Sequence, residues 1–145
     1  MNSFNTTRAT KQKLAHKDQN AIITNSTSEN VVVYGSRRET DGGKYDNSWY
    51  VLHPGETIPK NWQCDGLYIP KDRKFTQTNG EIMQGPVAVK YGSVTPVTIA
   101  QDGDQYIEKD NHNEGVFHKS EIDWDVPNFS AEYCQNISMG KYQIT

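Results

Sequence analysis

Beyond residue 20 the apolar positions come in short runs, separated by polar or glycine-marked clusters. Residues 21–24 and 30–34 are β-type runs around the polar cluster Asn25-Ser26-Thr27-Ser28-Glu29, a pattern that predicts a hairpin or one strand with a break. Further strands are predicted over 49–52, 67–69, 87–91, 96–100, 105–108, 116–118, 123–124, 131–134 and 141–144. Within one of them Val87, Val89 and Tyr91 alternate onto one face while Ala88 and Lys90 take the other, as in a half-buried strand. Turn signals lie between the runs at His53-Pro54-Gly55-Glu56, Cys64-Asp65-Gly66, Thr78-Asn79-Gly80, Tyr91-Gly92-Ser93 and Gln101-Asp102-Gly103-Asp104. No stretch after residue 20 carries a sustained helical stripe. The pattern predicts an all-β fold, an antiparallel two-sheet β-sandwich. No repeat or linker divides it, so residues 21–145 are expected to form a single domain behind a polar, flexible N-terminal arm over residues 1–20.

Composition makes the core thin. Only 34% of the 145 residues are hydrophobic, so the three Trp, eight Tyr and four Phe must fill much of it. The net charge of −3 is uneven: Arg8, Lys11, Lys13 and Lys17 against Asp18 give the arm +3 and leave the body at −6. An acidic body argues against nucleic acid as its partner. No apolar run approaches the roughly 18 residues of a membrane-spanning helix. No hydrophobic segment follows the basic N-terminus, so the expectation is synthesis in a cytosol without a signal peptide. Cys64 and Cys134 form no CxxC pair, and two reduced thiols are the expected state unless the fold brings them together.

Chemical motifs are weak. The stretch from Asp110 to Glu121 has the length of a calcium loop, with Asp110, His112, Glu114 and Glu121 at ligand positions, but a histidine is a poor ligand for a hard cation and no helices flank it. His112 and His118 share a face only if the intervening chain, with Gly115, is extended. Cys64 beside Asp65-Gly66, with His53 upstream, has nothing to fix it as a nucleophile. Asp102, Asp104 and Glu108 lie near a turn where solvated carboxylates are ordinary. The reading is therefore of a protein without enzymatic activity, metal or cofactor. An enzyme would need a cleft in which His53 or His118 meets a carboxylate.

The aromatic residues are more informative. Trp49-Tyr50, Trp62 and Trp124 lie near turns as well as strands, accompanied by Tyr45, Tyr68, Tyr106 and Tyr133. Rings with a polar tip suit a membrane interface, a sugar face or a protein contact, although most are expected to fill the core. Trp62, within the polar stretch Pro59-Lys60-Asn61-Trp62-Gln63, is the ring expected to be exposed.

An ordered set of short motifs resembles the aegerolysin family. Asp41-Gly42-Gly43-Lys44-Tyr45 is similar to its early glycine–basic–aromatic step, and Leu52-His53-Pro54-Gly55-Glu56-Thr57 to its Pro-Gly turn. Cys64-Asp65-Gly66 falls near its Ser-Cys-Gly turn, and Asn79-Gly80 followed by Gly85 through Tyr91 resembles its glycine-led strand. Trp124-Asp125-Val126-Pro127, with Tyr133 beyond, resembles its late Trp-Asp-Cys-Pro segment. Val126 stands where the family has cysteine, the family's Gly-Arg-Ser-Asp run is absent, and the stretch from 102 to 122 is longer than usual. The likeness, nearest to bacterial insecticidal members, implies a non-enzymatic protein that binds a lipid or receptor on a target-cell membrane. It further implies the small component of a two-component pore-forming toxin, acting extracellularly with a larger protein partner. The implied membrane or ligand-binding residues are Trp62, Trp124, Tyr45 and Asp125. A lectin-like carbohydrate-binding sandwich is the alternative, since both uses present aromatic rings.

Overall fold

A computed structural model describes residues 21–35, 49–59, 64–92 and 95–137. Ten strands are present among them: β1 (Ala21–Asn25), β2 (Val31–Tyr34), β3 (Trp49–Leu52), β4 (Gly66–Ile69), β5 (Lys74–Thr76), β6 (Ile82–Gln84), β7 (Val87–Lys90), β8 (Thr95–Asp102), β9 (Gln105–Lys109) and β10 (Gly115–Phe117). They form two five-stranded sheets, ordered β1-β8-β9-β5-β6 and β10-β7-β4-β2-β3. Helix among the described residues is limited to a 3₁₀ turn at Lys119–Glu121 and α1 (Ala131–Gln135). The all-β expectation holds.

The expectation of antiparallel pairing throughout does not. The second sheet is antiparallel in every pair, but in the first sheet β1 runs parallel to β8 and β5 parallel to β9. For β1 the departure begins at the polar cluster read as a possible hairpin turn. The Asn25 carboxamide accepts from the backbone N–H (2.9 Å) and hydroxyl (2.7 Å) of Thr27, and donates to the carbonyls of Glu29 and Leu52, each at 2.8 Å. Such side-chain-to-backbone bonds stabilise a bend without a ladder. The chain therefore leaves the first sheet at Asn25 and enters the second at Val31. The other side of β1 meets the stretch around Thr57, where Ile58 N–H donates to Ile23 and Asn25 N–H to Glu56.

Two apolar clusters result. The inner one draws on both sheets: Ile23, Phe75, Val97, Ile99 and Tyr106 from the first, Val31, Val33, Tyr50, Leu52, Leu67, Ile69, Val87 and Val89 from the second. The outer one takes the alternate residues of the second sheet, Val32, Tyr34, Trp49, Val51, Tyr68 and Ala88, with Trp124, Val126, Cys134 and Ile137 from the C-terminal stretch.

That stretch is not built as predicted. Residues 131–134, expected as a strand, are helical because Ser130 caps the turn, its hydroxyl accepting the Tyr133 N–H at 3.0 Å. Residues 123–124 belong to no strand. Strands β5 and β6 were not foreseen, being three residues each, although the turn joining them, Thr78-Asn79-Gly80, was. The strand expected over 141–144 lies outside the described residues, as does the arm over 1–20.

Candidate binding groove at the edge of the second sheet

Residues 122–137 cross the outer face of the second sheet as a strap. Ile122, Trp124 and Val126 alternate inward, the period of extended chain, and Phe129, Cys134 and Ile137 complete the cover. Buried tyrosines tie it down. Tyr34 hydroxyl donates to the Asp125 carbonyl at 2.7 Å, and Tyr68 hydroxyl to the Pro127 carbonyl at 2.5 Å while accepting the Phe129 N–H at 3.0 Å. Burial pushes both hydroxyls well above the ordinary tyrosine range, so each remains a donor. At the far end Asp72 accepts the Ala131 N–H at 2.8 Å, and the Gln135 carboxamide accepts from Asn30 N–H at 2.7 Å.

Trp124 is the strap's largest anchor, only 4% exposed. Its ring lies 4.9 Å from that of Tyr34, centroid to centroid, and directly over Gly66, where a Cβ would come within 2.8 Å of the indole. A side chain there would also collide with the Val89 carbonyl oxygen. Glycine at 66 thus lets the indole and the neighbouring strand close on the same spot.

Before the strap, His118 to Glu121 forms a capping box. The Glu121 carboxylate accepts the His118 N–H at 2.7 Å and lies 3.3 Å from its Nδ1. The bond from the His118 backbone, aided by the imidazole, holds the Glu121 carboxyl below the usual range, so it is ionised at neutral pH.

Between this turn, the strap and the edge strand β10 lies an open groove of about 580 Å³, lined by Lys90, Phe117, Ser120, Glu121, Asp123 and Trp124, with Ile122 at its side. Phe117 folds back along its strand, over Gly115, where a Cβ would fall 2.6 Å from the ring. One rigid sheet edge thereby supplies an aromatic surface and Lys90, and one irregular segment supplies carboxylates and the rim of an indole. Binding residues characteristically sit on loops held by such a scaffold.

Of the four predicted site residues, Trp124 and Asp125 stand in the strap, Trp124 buried and Asp125 exposed. Tyr45 and Trp62 lie outside the described residues. Large hydrophobic side chains exposed among the described residues are Ile82 and Tyr133. Phe117, Lys90 and Asp123 were not singled out from the sequence as binding residues, and Glu121 was named there only as a ligand position of the calcium-length loop. Phe117 stood in a predicted strand, and nothing local in sequence sets it across from residues 120–124.

The other candidates separate. His53 meets Glu56 at 3.1 Å in an exposed turn where that carboxylate also accepts the His53 N–H at 2.8 Å, the same arrangement as at His118. In both, the carboxylate caps a turn. In the proposed calcium loop, His112 Nδ1 lies 2.7 Å from the Thr78 hydroxyl and 3.3 Å from Glu108, whereas Glu121 turns to His118. Glu108 is itself buried, accepting from Tyr91 hydroxyl at 2.5 Å, from the Asn113 carboxamide at 3.0 Å and from the Thr78 N–H at 3.0 Å. Its charge is thus met by donors from several elements. Among the described residues no three His, Cys, Asp or Glu side chains gather as a metal site. Cys64 and Cys134 are free and lie in different clusters, the inner and the outer. Burial raises both thiols, Cys134 up to about 12.

Comparison of the chain with protein-family models, with curated proteins and with solved structures returns no match in any of the three.

Proposed function

We propose that the protein is a non-enzymatic recognition module that binds a lipid or receptor on a target-cell membrane. In this reading the two sheets pack as a β-sandwich over the inner cluster, to which both contribute. The observation that carries the functional reading is the groove of about 580 Å³ in which Phe117 and the rim of Trp124 meet Lys90, Glu121 and Asp123. It adjoins the Trp-Asp-Val-Pro segment that resembles the aegerolysins. Rings give contact area at small entropic cost and fixed charges orient a polar head, which suffices for recognition without bond-making. By the same resemblance the protein acts outside the producing cell, as the small component that recruits a larger pore-forming partner.

The test is sedimentation with vesicles made from target-cell lipid extract. Phe117→Ala should lose about tenfold or more in binding, on the scale of a hot-spot contact of about 2 kcal/mol, with an unchanged circular dichroism spectrum. Failure of the parent to sediment, or equal sedimentation by parent and variant, overturns the assignment of this groove. The pairing of rings with carboxylates also favours the second reading, a lectin-like sugar site. In that case a glycan array is positive, Phe117→Ala abolishes the signal, and sugar-free vesicles are not bound.

A further inference from the structure

The 3₁₀ turn at Lys119–Glu121 has a hollow on each side, and Ser120 lines both. The second hollow, about 680 Å³, lies where β7 begins and β10 ends, and is lined by Pro86, His118, Lys119, Ser120, Val126 and Asn128. Its volume is within the about 300–1,000 Å³ of small-molecule sites. Its chemistry is the reverse of its neighbour's. The first groove carries two carboxylates, Glu121 and Asp123, with Lys90. The second has no carboxylate in its lining, and Lys119 is the one lining residue with a fixed charge.

Apolar surface comes mainly from Pro86, since Val126 is only 2% exposed and presents no more than its edge, and the neutral polar residues of the lining are Ser120 and Asn128. His118 adds an imidazole whose Nδ1 is already engaged by Glu121. We infer that this hollow binds a single-chain fatty acid, its carboxylate on Lys119 and its alkyl chain along Pro86, over the edge of Val126. One cation matches one carboxylate, while Ser120 and Asn128 can donate to the remaining oxygen lone pairs. An anionic head gains an ion pair with Lys119 that a neutral amphiphile lacks, and a cationic one would be repelled by it. The inference does not rest on the reading of the first groove, from which it differs in lining and in sign of charge.

The probe is decanoate below its micellar concentration, titrated into the full chain by isothermal calorimetry, with backbone amide shifts followed at Ser120 and Val126. Saturable binding is expected, at least tenfold tighter than that of decanol and weakened by added salt. Lys119→Glu should reduce it tenfold or more. Lys109→Glu, an equal change in net charge at the exposed end of β9, should not change it. Lys119 is exposed, so the melting temperature serves as the control that the variant is folded. No saturable binding in the millimolar range, equal binding of decanol and decanoate, or equal loss in the two charge variants would overturn the assignment. Tight binding with shifts confined to Lys90 and Phe117 would overturn it as well, by moving the ligand to the other groove.

Discussion

The two sheets face their surroundings differently. In the first, buried and partly exposed residues alternate, as along β1 and β9. In the second, β2, β3 and β4 are buried at every position. The strands differ because the strap covers only one sheet. Val31 and Val33 of β2 serve the inner cluster, while Val32 and Tyr34 serve the outer. An antiparallel sheet ordinarily leaves one face to water and reads as an alternation. Here Val-Val-Val-Tyr and Trp-Tyr-Val-Leu are continuous apolar runs because irregular chain replaces water on the far side.

Loss of Trp124 should show the largest effect. Trp124→Ala removes an indole packed on Gly66 and Tyr34, and should cost about 3–5 kcal/mol in a denaturant melt. A loss below about 1 kcal/mol would mean the strap is not part of the cooperative unit. Tyr91→Phe comes next. It takes from buried Glu108 one of its donors and should cost about 1–3 kcal/mol, measured the same way. Because Tyr91 belongs to the inner cluster, the result shows whether a polar contact between the sheets matters as much as apolar cover outside them.

Alkaline pH should erode stability from about pH 9 upward. The unfolded Cys134 thiol ionises near its ordinary value of 9.0, whereas the folded one is held up to about 12 and stays neutral. The unfolded state thus releases a proton the folded state retains, and unfolding gains as pH rises; Tyr34 and Tyr68 add the same sign above about pH 10. The check is the denaturation midpoint at pH 8 and pH 10, with Cys134→Ala reducing the difference but not removing it, since buried Cys64 contributes with the same sign. Tyr34→Phe, which keeps the ring but cuts the bond to the Asp125 carbonyl, should cost about 1 kcal/mol. Smallest is Thr98→Ala, on the partly exposed face of β8, within about 0.5 kcal/mol. A larger loss there would mean that the first sheet's outer face is covered too.

Most strands were legible because local alternation and turn residues mark them without reference to partners. Partnering was not. Asn25-Ser26-Thr27-Ser28-Glu29 has the composition of a hairpin turn, and only the bond from Asn25 to the distant Leu52 carbonyl shows that it redirects the chain between sheets. Residues 131–134 read as a strand by composition, while the decisive signal for helix was the capping serine before them. For the candidate site, Trp-Asp-Val-Pro drew notice to one wall. Phe117 and Lys90, forming the other, are brought there by the β7–β10 register, which pairs Gly115 with Lys90 and Phe117 with Ala88. Pairing of that kind leaves no local trace.

The parallel pairing of β1 with β8 also sets an order of events during synthesis. Ala21 pairs with Thr95, and among the described residues no strand before β8 pairs with β1, although the irregular stretch 55–58 bonds to its other side. On a ribosome adding about 5–20 residues per second, β1 waits roughly 4–15 s for its partner strand. Strands β2, β3, β4 and β7 precede β8 and can align during that interval. The apolar faces they expose then stay open until β8 and the strap emerge. A nascent chain stalled before residue 95 should accordingly be held by chaperones, and one released after residue 137 should not.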